Sequence, residues 1–166
     1  MRKLLTMIAF TAVTGAYAQN LDYLRFGIGG QASFPAFGLS AKADITEQHS
    51  AQLVVGVAGP FSAYYGRYLY NFPESGNDLL LNPYLYGQAG LYTYKGLGVN
   101  YNNFSLYETT EKVFGWGVGG GLQFCFPNLT DRIKFNAELG YGKVGFDYYD
   151  FKSITFGAGI HYYFNL

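Results

Sequence analysis

From residue 19 onward the sequence repeats with a period of two, and that period admits strands and excludes amphipathic helices. The clearest stretch is Arg132–Tyr141. Ile133, Phe135, Ala137, Leu139 and Tyr141 fall on one face; Arg132, Lys134, Asn136, Glu138 and Gly140 fall on the other. Ser153–Phe164 repeats it, with Ile154, Phe156, Ala158, Ile160, Tyr162 and Phe164 against Thr155, Gly157, Gly159, His161 and Tyr163. Phe114–Phe124 sets Phe114, Trp116, Val118, Leu122 and Phe124 against Gly115, Gly117, Gly119, Gly121 and Gln123. Leu24–Phe34 and Phe37–Ile45 alternate as well, and Gln52–Phe61, Tyr64–Phe72 and Leu81–Tyr94 complete a set of eight. Pro35, Pro60, Pro73 and Pro127 stand at turns or strand ends, where a missing N–H does no harm.

An even run of antiparallel hairpins with one uniformly apolar face predicts a closed up-and-down β-barrel. Closure alone removes the open edges that lipid cannot satisfy. Which face points outward is open at this level. An apolar lumen and polar exterior would make a soluble, lipocalin-like carrier of an apolar ligand. The reverse makes a transmembrane barrel. Two features favour the membrane. Charged residues are only 13% of the chain, against about a quarter in soluble domains. Aromatics are 20%, and they crowd strand ends at Phe34, Phe37, Phe61, Tyr64, Phe72 and Phe124, as interfacial girdles do. The glycines of the polar face suit a narrow eight-stranded interior, which has no room for a large side chain at every position.

The N-terminus reads as an export signal. Arg2 and Lys3 precede the apolar run Leu4–Val13, and Ala16-Tyr17-Ala18 is a small-residue cleavage site. Residues 1–18 are therefore expected to be a helical, cleaved signal peptide, and 19–166 the barrel domain. Net charge is zero with no basic run, which argues against a nucleic-acid partner. The lone Cys125 forms no internal disulfide.

The chain resembles the small eight-stranded outer-membrane barrels, the OmpA/OmpX-like group and the broad outer-membrane β-barrel domain family. The resemblance rests on Gly66-Arg67-Tyr68-Leu69-Tyr70, Pro83-Tyr84-Leu85-Tyr86-Gly87 and the terminal strand Gly157–Phe164. It implies outer-membrane localisation, with outer-membrane lipid and the barrel-assembly machinery as partners. Gly159, Tyr162 and Phe164 would serve as the assembly signal. Gly157 stands at the signal's usual polar position, and Asn165-Leu166 follow the last aromatic. Such barrels host adhesion, resistance, pores and lipid-modifying enzymes, so the resemblance leaves the role open.

Candidate sites follow from the polar face. Arg25, Lys42, Asp44, Arg67, Lys134, Glu138 and Lys143 are expected to point into the lumen and form a charge network with tyrosine hydroxyls. Glu138, the acid midway along its strand, is expected to hydrogen-bond Arg67, Lys134 or Lys42. Gly115-Trp116-Gly117-Val118-Gly119-Gly120 matches a dinucleotide fingerprint in letters, but a strand continues where that motif needs a helix. His49 and His161 are the two histidines, too few for a metal cluster, and neither sits at the rim where a barrel acyl-transfer enzyme needs one. No cofactor is expected and no enzyme. The connection Lys95–Lys112 is either an outer loop or an extension of the strands. In the first case Tyr101, Phe104 and Tyr107 are candidate contacts for an extracellular ligand. The expected function is a non-enzymatic surface anchor or loop-mediated binding and shielding protein with a filled lumen. The alternatives are a small ion-conducting pore and the soluble carrier.

Overall fold

The computed structural model describes residues 23–33, 36–100, 105–128, 130–146 and 150–164. The expected signal peptide, 1–18, lies outside them. Eight strands follow in order: β1 Arg25–Ser33, β2 Ala36–Asp44, β3 His49–Ala58, β4 Phe61–Asn71, β5 Leu80–Asn100, β6 Ser105–Phe126, β7 Thr130–Gly145 and β8 Asp150–Phe164. Each pairs antiparallel with the next, and β1 closes on β8 from Phe26↔Phe164 to Ser33↔Gly157. The barrel has a terminal end, where β1 begins and β8 stops, and a distal end.

The alternation seen in the sequence sets the two surfaces. Leu39, Leu53, Leu91, Phe114, Leu139, Ile154, Phe156 and Ile160 stand exposed on the outside. Arg67, Lys42, Gln52, Gln31, Glu138 and His161 are buried inside. Ile133 and Phe135 share the outward parity, and the Phe135 ring stacks on Phe124 with centroids 5.6 Å apart. The lumen is polar and the exterior apolar, the reverse of what a carrier of apolar ligands requires.

Turn chemistry fits the hairpins. Ala58 pairs with Phe61, which leaves Gly59-Pro60 as a two-residue turn. Its first central residue needs positive φ, and Gly59 supplies φ 59°. A longer turn, residues 72–79, joins β4 to β5, with Gly76 at φ 106° and a bridge between Ser75 and Leu81.

The connection 95–112 is mostly strand. The β5–β6 ladder runs on through Lys95↔Thr110, Leu97↔Glu108 and Asn100↔Ser105. Pairing of β5 with β4 stops at Tyr94↔Phe61, and that of β6 with β7 begins at Gly115↔Val144. Among the described residues the two strands thus rise beyond the distal end as a two-stranded ribbon. Tyr101 and Phe104 lie outside the described residues; Tyr107 stands in β6, its side chain likewise outside them.

Candidate functional site

Inward side chains of seven strands join one hydrogen-bonded network at mid-height, and three of those strands reach the carboxylate of Glu138 on a fourth. Glu138 of β7 accepts from Arg67 Nη2 of β4 at 2.7 Å and from the Tyr84 hydroxyl of β5 at 3.0 Å through Oε2. Its Oε1 accepts from Ser33 Oγ of β1 at 2.5 Å. Arg67 Nη1 donates to Gln52 Oε1 of β3 at 3.2 Å, and the guanidinium lies 4.0 Å over the Tyr86 ring. Gln52 Nε2 donates to Ser40 Oγ of β2 at 2.7 Å, and His161 Nε2 of β8 lies 2.9 Å from the same oxygen. Asn136 Nδ2 reaches the Tyr84 hydroxyl at 3.2 Å and Gln31 Oε1 at 3.3 Å.

The eighth strand, β6, contributes the space. Its inward positions at this level are Gly117, Gly119 and Gly121. A Cβ on Gly121 would lie 2.5 Å from Tyr84 Cζ, and one on Gly157 of β8 would lie 2.5 Å from Glu138 Cγ. Gly121 is the direct ladder partner of both Tyr84 and Glu138, and Gly157 that of Glu138, so glycine on the neighbouring strands lets those side chains lean across the inner wall. The ion pair is desolvated on both sides, so its attraction acts in a low dielectric, and the added hydrogen bonds compensate the lost hydration.

A second cluster lies toward the terminal end. Lys42 Nζ donates to Gln123 Oε1 at 2.7 Å and sits 3.6 Å from Asp44 Oδ1. Asp44 also accepts from Ser50 Oγ at 2.6 Å, and Asn71 Nδ2 donates to Ser50 Oγ at 2.7 Å. Lys134 Nζ turns to Glu74 Oε1 of the β4–β5 turn, 3.3 Å away. A cavity of about 300 Å³ opens here, lined by Tyr23, Glu47, Asn71, Phe72, Glu74 and Asn82. The distal end is different. Ala36, Val54, Ala63, Tyr65, Tyr92 and Val144 pack as an apolar plug. Tyr65 and Tyr92 stack 6.1 Å apart, and Phe61, Tyr94 and Phe146 close ring against ring above them.

The structure therefore brings Arg67 and Glu138 together at the centre, and Lys42 and Asp44 below them. It separates the rest. Lys134 meets Glu74 rather than Glu138, because it stands two repeats of the pleat nearer the terminal mouth. Arg25 has inward parity but lies at the exposed rim, its guanidinium 5.2 Å over the Tyr23 ring. Lys143 points outward. It shares parity with Leu139 and Tyr141, not with Glu138. Gly159 lies on the inner wall, where a Cβ would meet Gln31 and Asn136. Tyr162 and Phe164 face outward with their rings edge to face at 5.3 Å.

Other motifs resolve plainly. The Gly115–Gly120 run lies inside β6. His49 opens β3 and faces outward to the Tyr68 hydroxyl, 2.6 Å from Nδ1, while its neighbour Ser50 is buried in the lumen. Cys125 is buried with a free thiol. Among the described residues no three metal-ligating side chains converge. Ser33, Ser40 and Gln52 were not singled out from the sequence, nor was the distal plug. Their signal was present in the inward parity of uncharged residues, which charge alone does not reveal.

Chemically, the centre is nearly filled, though Arg67 Nε and Asn136 Oδ1 are buried without a hydrogen-bond partner. Both Glu138 oxygens are taken, and the space left beside Gln31, Lys42, Gln52 and His161 is about 10 Å³. That is about one water's worth of room.

Fold and lumen together define a closed eight-stranded barrel with an apolar exterior and a hydrogen-bonded, side-chain-filled interior. Among solved structures the chain is similar to the N-terminal β-barrel domain of Pseudomonas aeruginosa OprF, at 20% identity and a TM-score of 0.49, covering 85% of this chain and 96% of that one. It is also similar to Ail, the attachment invasion locus protein of Yersinia pestis, at 12% identity and a TM-score of 0.30, covering 85% and 95%. No protein-family model matches the chain, and no curated protein matches it significantly.

Proposed function

We propose that the protein is an integral outer-membrane barrel whose interior is filled, and which acts as a non-enzymatic anchor displaying the β5–β6 ribbon at the cell surface. One observation carries this reading: burial is inverted relative to a water-soluble protein. Leu39 and Phe156 are 77% and 69% exposed, while Arg67 and Glu138 are 4% and 7% exposed. Water would penalise such an exterior heavily, at about 25 cal/mol per Å² of apolar surface, and a bilayer removes the penalty. Exposed aromatics near both ends, Phe37, Tyr64 and Trp116 distally and Tyr68, Phe126 and Phe164 terminally, suit the two interfaces. With the chain ends on the periplasmic side, the ribbon stands outside.

The test is phase partition of the refolded mature protein in a clouding detergent, alongside a gel-mobility assay for heat-sensitive folding. Folded protein in the detergent phase supports the reading. Folded protein left in the aqueous phase overturns it.

A further inference from the structure

The β4–β5 turn, residues 72–79, is the longest connection at the terminal end, and it is not a plain hairpin. Phe72 N donates to Pro83 O at 2.8 Å, and Ser75 and Leu81 exchange backbone bonds at 2.9 and 2.8 Å. Pro73 and Glu74 together therefore oppose Asn82 alone, which makes a β-bulge. Proline suits the extra position, since it has no N–H to leave unpaired. A bulge re-aims the side chain it carries. Here Glu74 reaches across the mouth to Lys134 Nζ, 3.3 Å away on β7, a strand that neighbours neither β4 nor β5. Asn82 Nδ2 donates to Phe72 O at 2.9 Å and fixes the base of the bulge.

The turn thus spans part of the mouth and leaves the cavity of about 300 Å³ open on the side of Tyr23, Glu47 and Gln48. Its other fastening, Asn128 Nδ2 to Asp78 Oδ1 at 3.2 Å, runs to the adjacent β6–β7 turn and not across the opening. Among the described residues Glu74 is the one carboxylate within ion-pair distance of Lys134. The two side chains are 42% and 11% exposed, so salt reaches and weakens the pair. Lys134 also lies 5.2 Å over the Tyr163 ring, which holds the lysine to the wall when the carboxylate leaves. Cys125 stands at the foot of this arm. It has inward parity on β6, pairs with Leu80 where the turn rejoins the wall, and is 4% exposed. Lys134, Glu74 and Asp131 are the charges that act on its thiol.

We propose that the β4–β5 turn is a cover, hinged at the Pro73–Glu74 bulge and latched across the terminal mouth by the Glu74–Lys134 pair, so that ionic strength on that side sets access to the lower lumen. Closed, the cover shields Cys125 and the wall around Lys134 from solutes. Open, it keeps its bonds to β5 and to the β6–β7 turn, and swings only the bulged arm away from β7. The device is built into the fold and does not depend on the membrane reading.

The experiment measures alkylation of Cys125, the chain's single cysteine, by iodoacetamide at fixed pH. It uses the refolded protein in neutral detergent micelles and reads the product by intact-mass spectrometry. At low salt the wild type is expected to react about tenfold more slowly than Glu74→Gln and Lys134→Gln, because local opening limits the rate. High salt should bring the wild type up to the variants and leave the variants unchanged. The Lys134 variant decides between opening and local charge. Loss of a cation beside a thiol slows alkylation by itself, and loss of an anion speeds it. A pure field effect therefore moves the two variants in opposite directions, whereas an opened cover speeds both. Opposite shifts, or a wild-type rate that salt does not alter, would overturn the proposal. Heat-sensitive gel mobility shows which variants are folded. Should Lys134→Gln fail to refold, Glu74→Asp takes its place, since it keeps the charge and shortens the arm. A rate matching Glu74→Gln supports the latch, and the wild-type rate overturns it.

Discussion

At the scale of single residues, the account turns on Glu138 and what it holds. Among the described residues Arg67 has no other carboxylate within ion-pair distance, so removing the charge of Glu138 strands a buried guanidinium. Breaking one partner of a buried pair costs about 3–5 kcal/mol. Glu138→Gln should lower the urea midpoint of the folded protein in detergent by that order, while Glu108→Gln, exposed on the ribbon, should leave it unmoved; equal midpoints would mean that Glu138 is solvated. Exchanging both partners for apolar residues, Arg67→Met with Glu138→Leu, should recover much of the loss, since no charge is then left unpaired. Gly157 makes a separate prediction. Val there would drive a branched side chain into Glu138 Cγ, so Gly157→Val should destabilise by about 1–3 kcal/mol. Ala158→Val, one residue on and facing outward, should be nearly silent. Glu138 as the central acid is legible in the sequence because it lies mid-strand on the polar face of a narrow barrel, but the sequence leaves Arg67, Lys134 and Lys42 as alternative partners, and the structure selects Arg67. The neighbours of Glu138 were less legible. Ser33 and Gln52 carry no charge, and which hydroxyl or amide meets which depends on strand register, which alternation does not fix.

At the scale of elements, the sequence read well wherever alternation was unbroken and poorly where it ran on. All eight strands were legible, and β7 and β8 nearly to their ends. The ribbon was not separable from a loop. Lys95–Lys112 alternates weakly, mixes Gly with Thr and charged residues, and lacks the sharp apolar–polar contrast in sequence of the barrel strands. Lys143 went astray for a related reason: it was assigned by charge when its parity with Tyr141 placed it outside. The ribbon makes its ladder with itself, so the barrel should not depend on it. Deleting residues 97–108 and joining Gly96 to Thr109 through a two-residue turn should preserve heat-sensitive mobility and the urea midpoint. A barrel that no longer refolds after this deletion would show that the ribbon nucleates β5–β6 pairing rather than being carried by it.

At the scale of the whole molecule, three layers close the lumen: an apolar distal plug, the Glu138 network, and the Lys42–Asp44 cluster above a small terminal mouth. A path for ions would have to cross all three, and planar bilayers containing the purified protein should show no large open-pore current. Sustained conductance would instead favour the small-pore reading. The central claim is the inverted arrangement itself, with lipid outside and polar side chains within. Trp116 reports on it directly, since it is the chain's one tryptophan and stands 44% exposed on the outer face. In vesicles of lipids carrying bromine on their acyl chains, its emission should be strongly quenched, while iodide in the surrounding water should have little effect. Strong quenching by iodide with none by the brominated lipids would place that face in water and contradict the account.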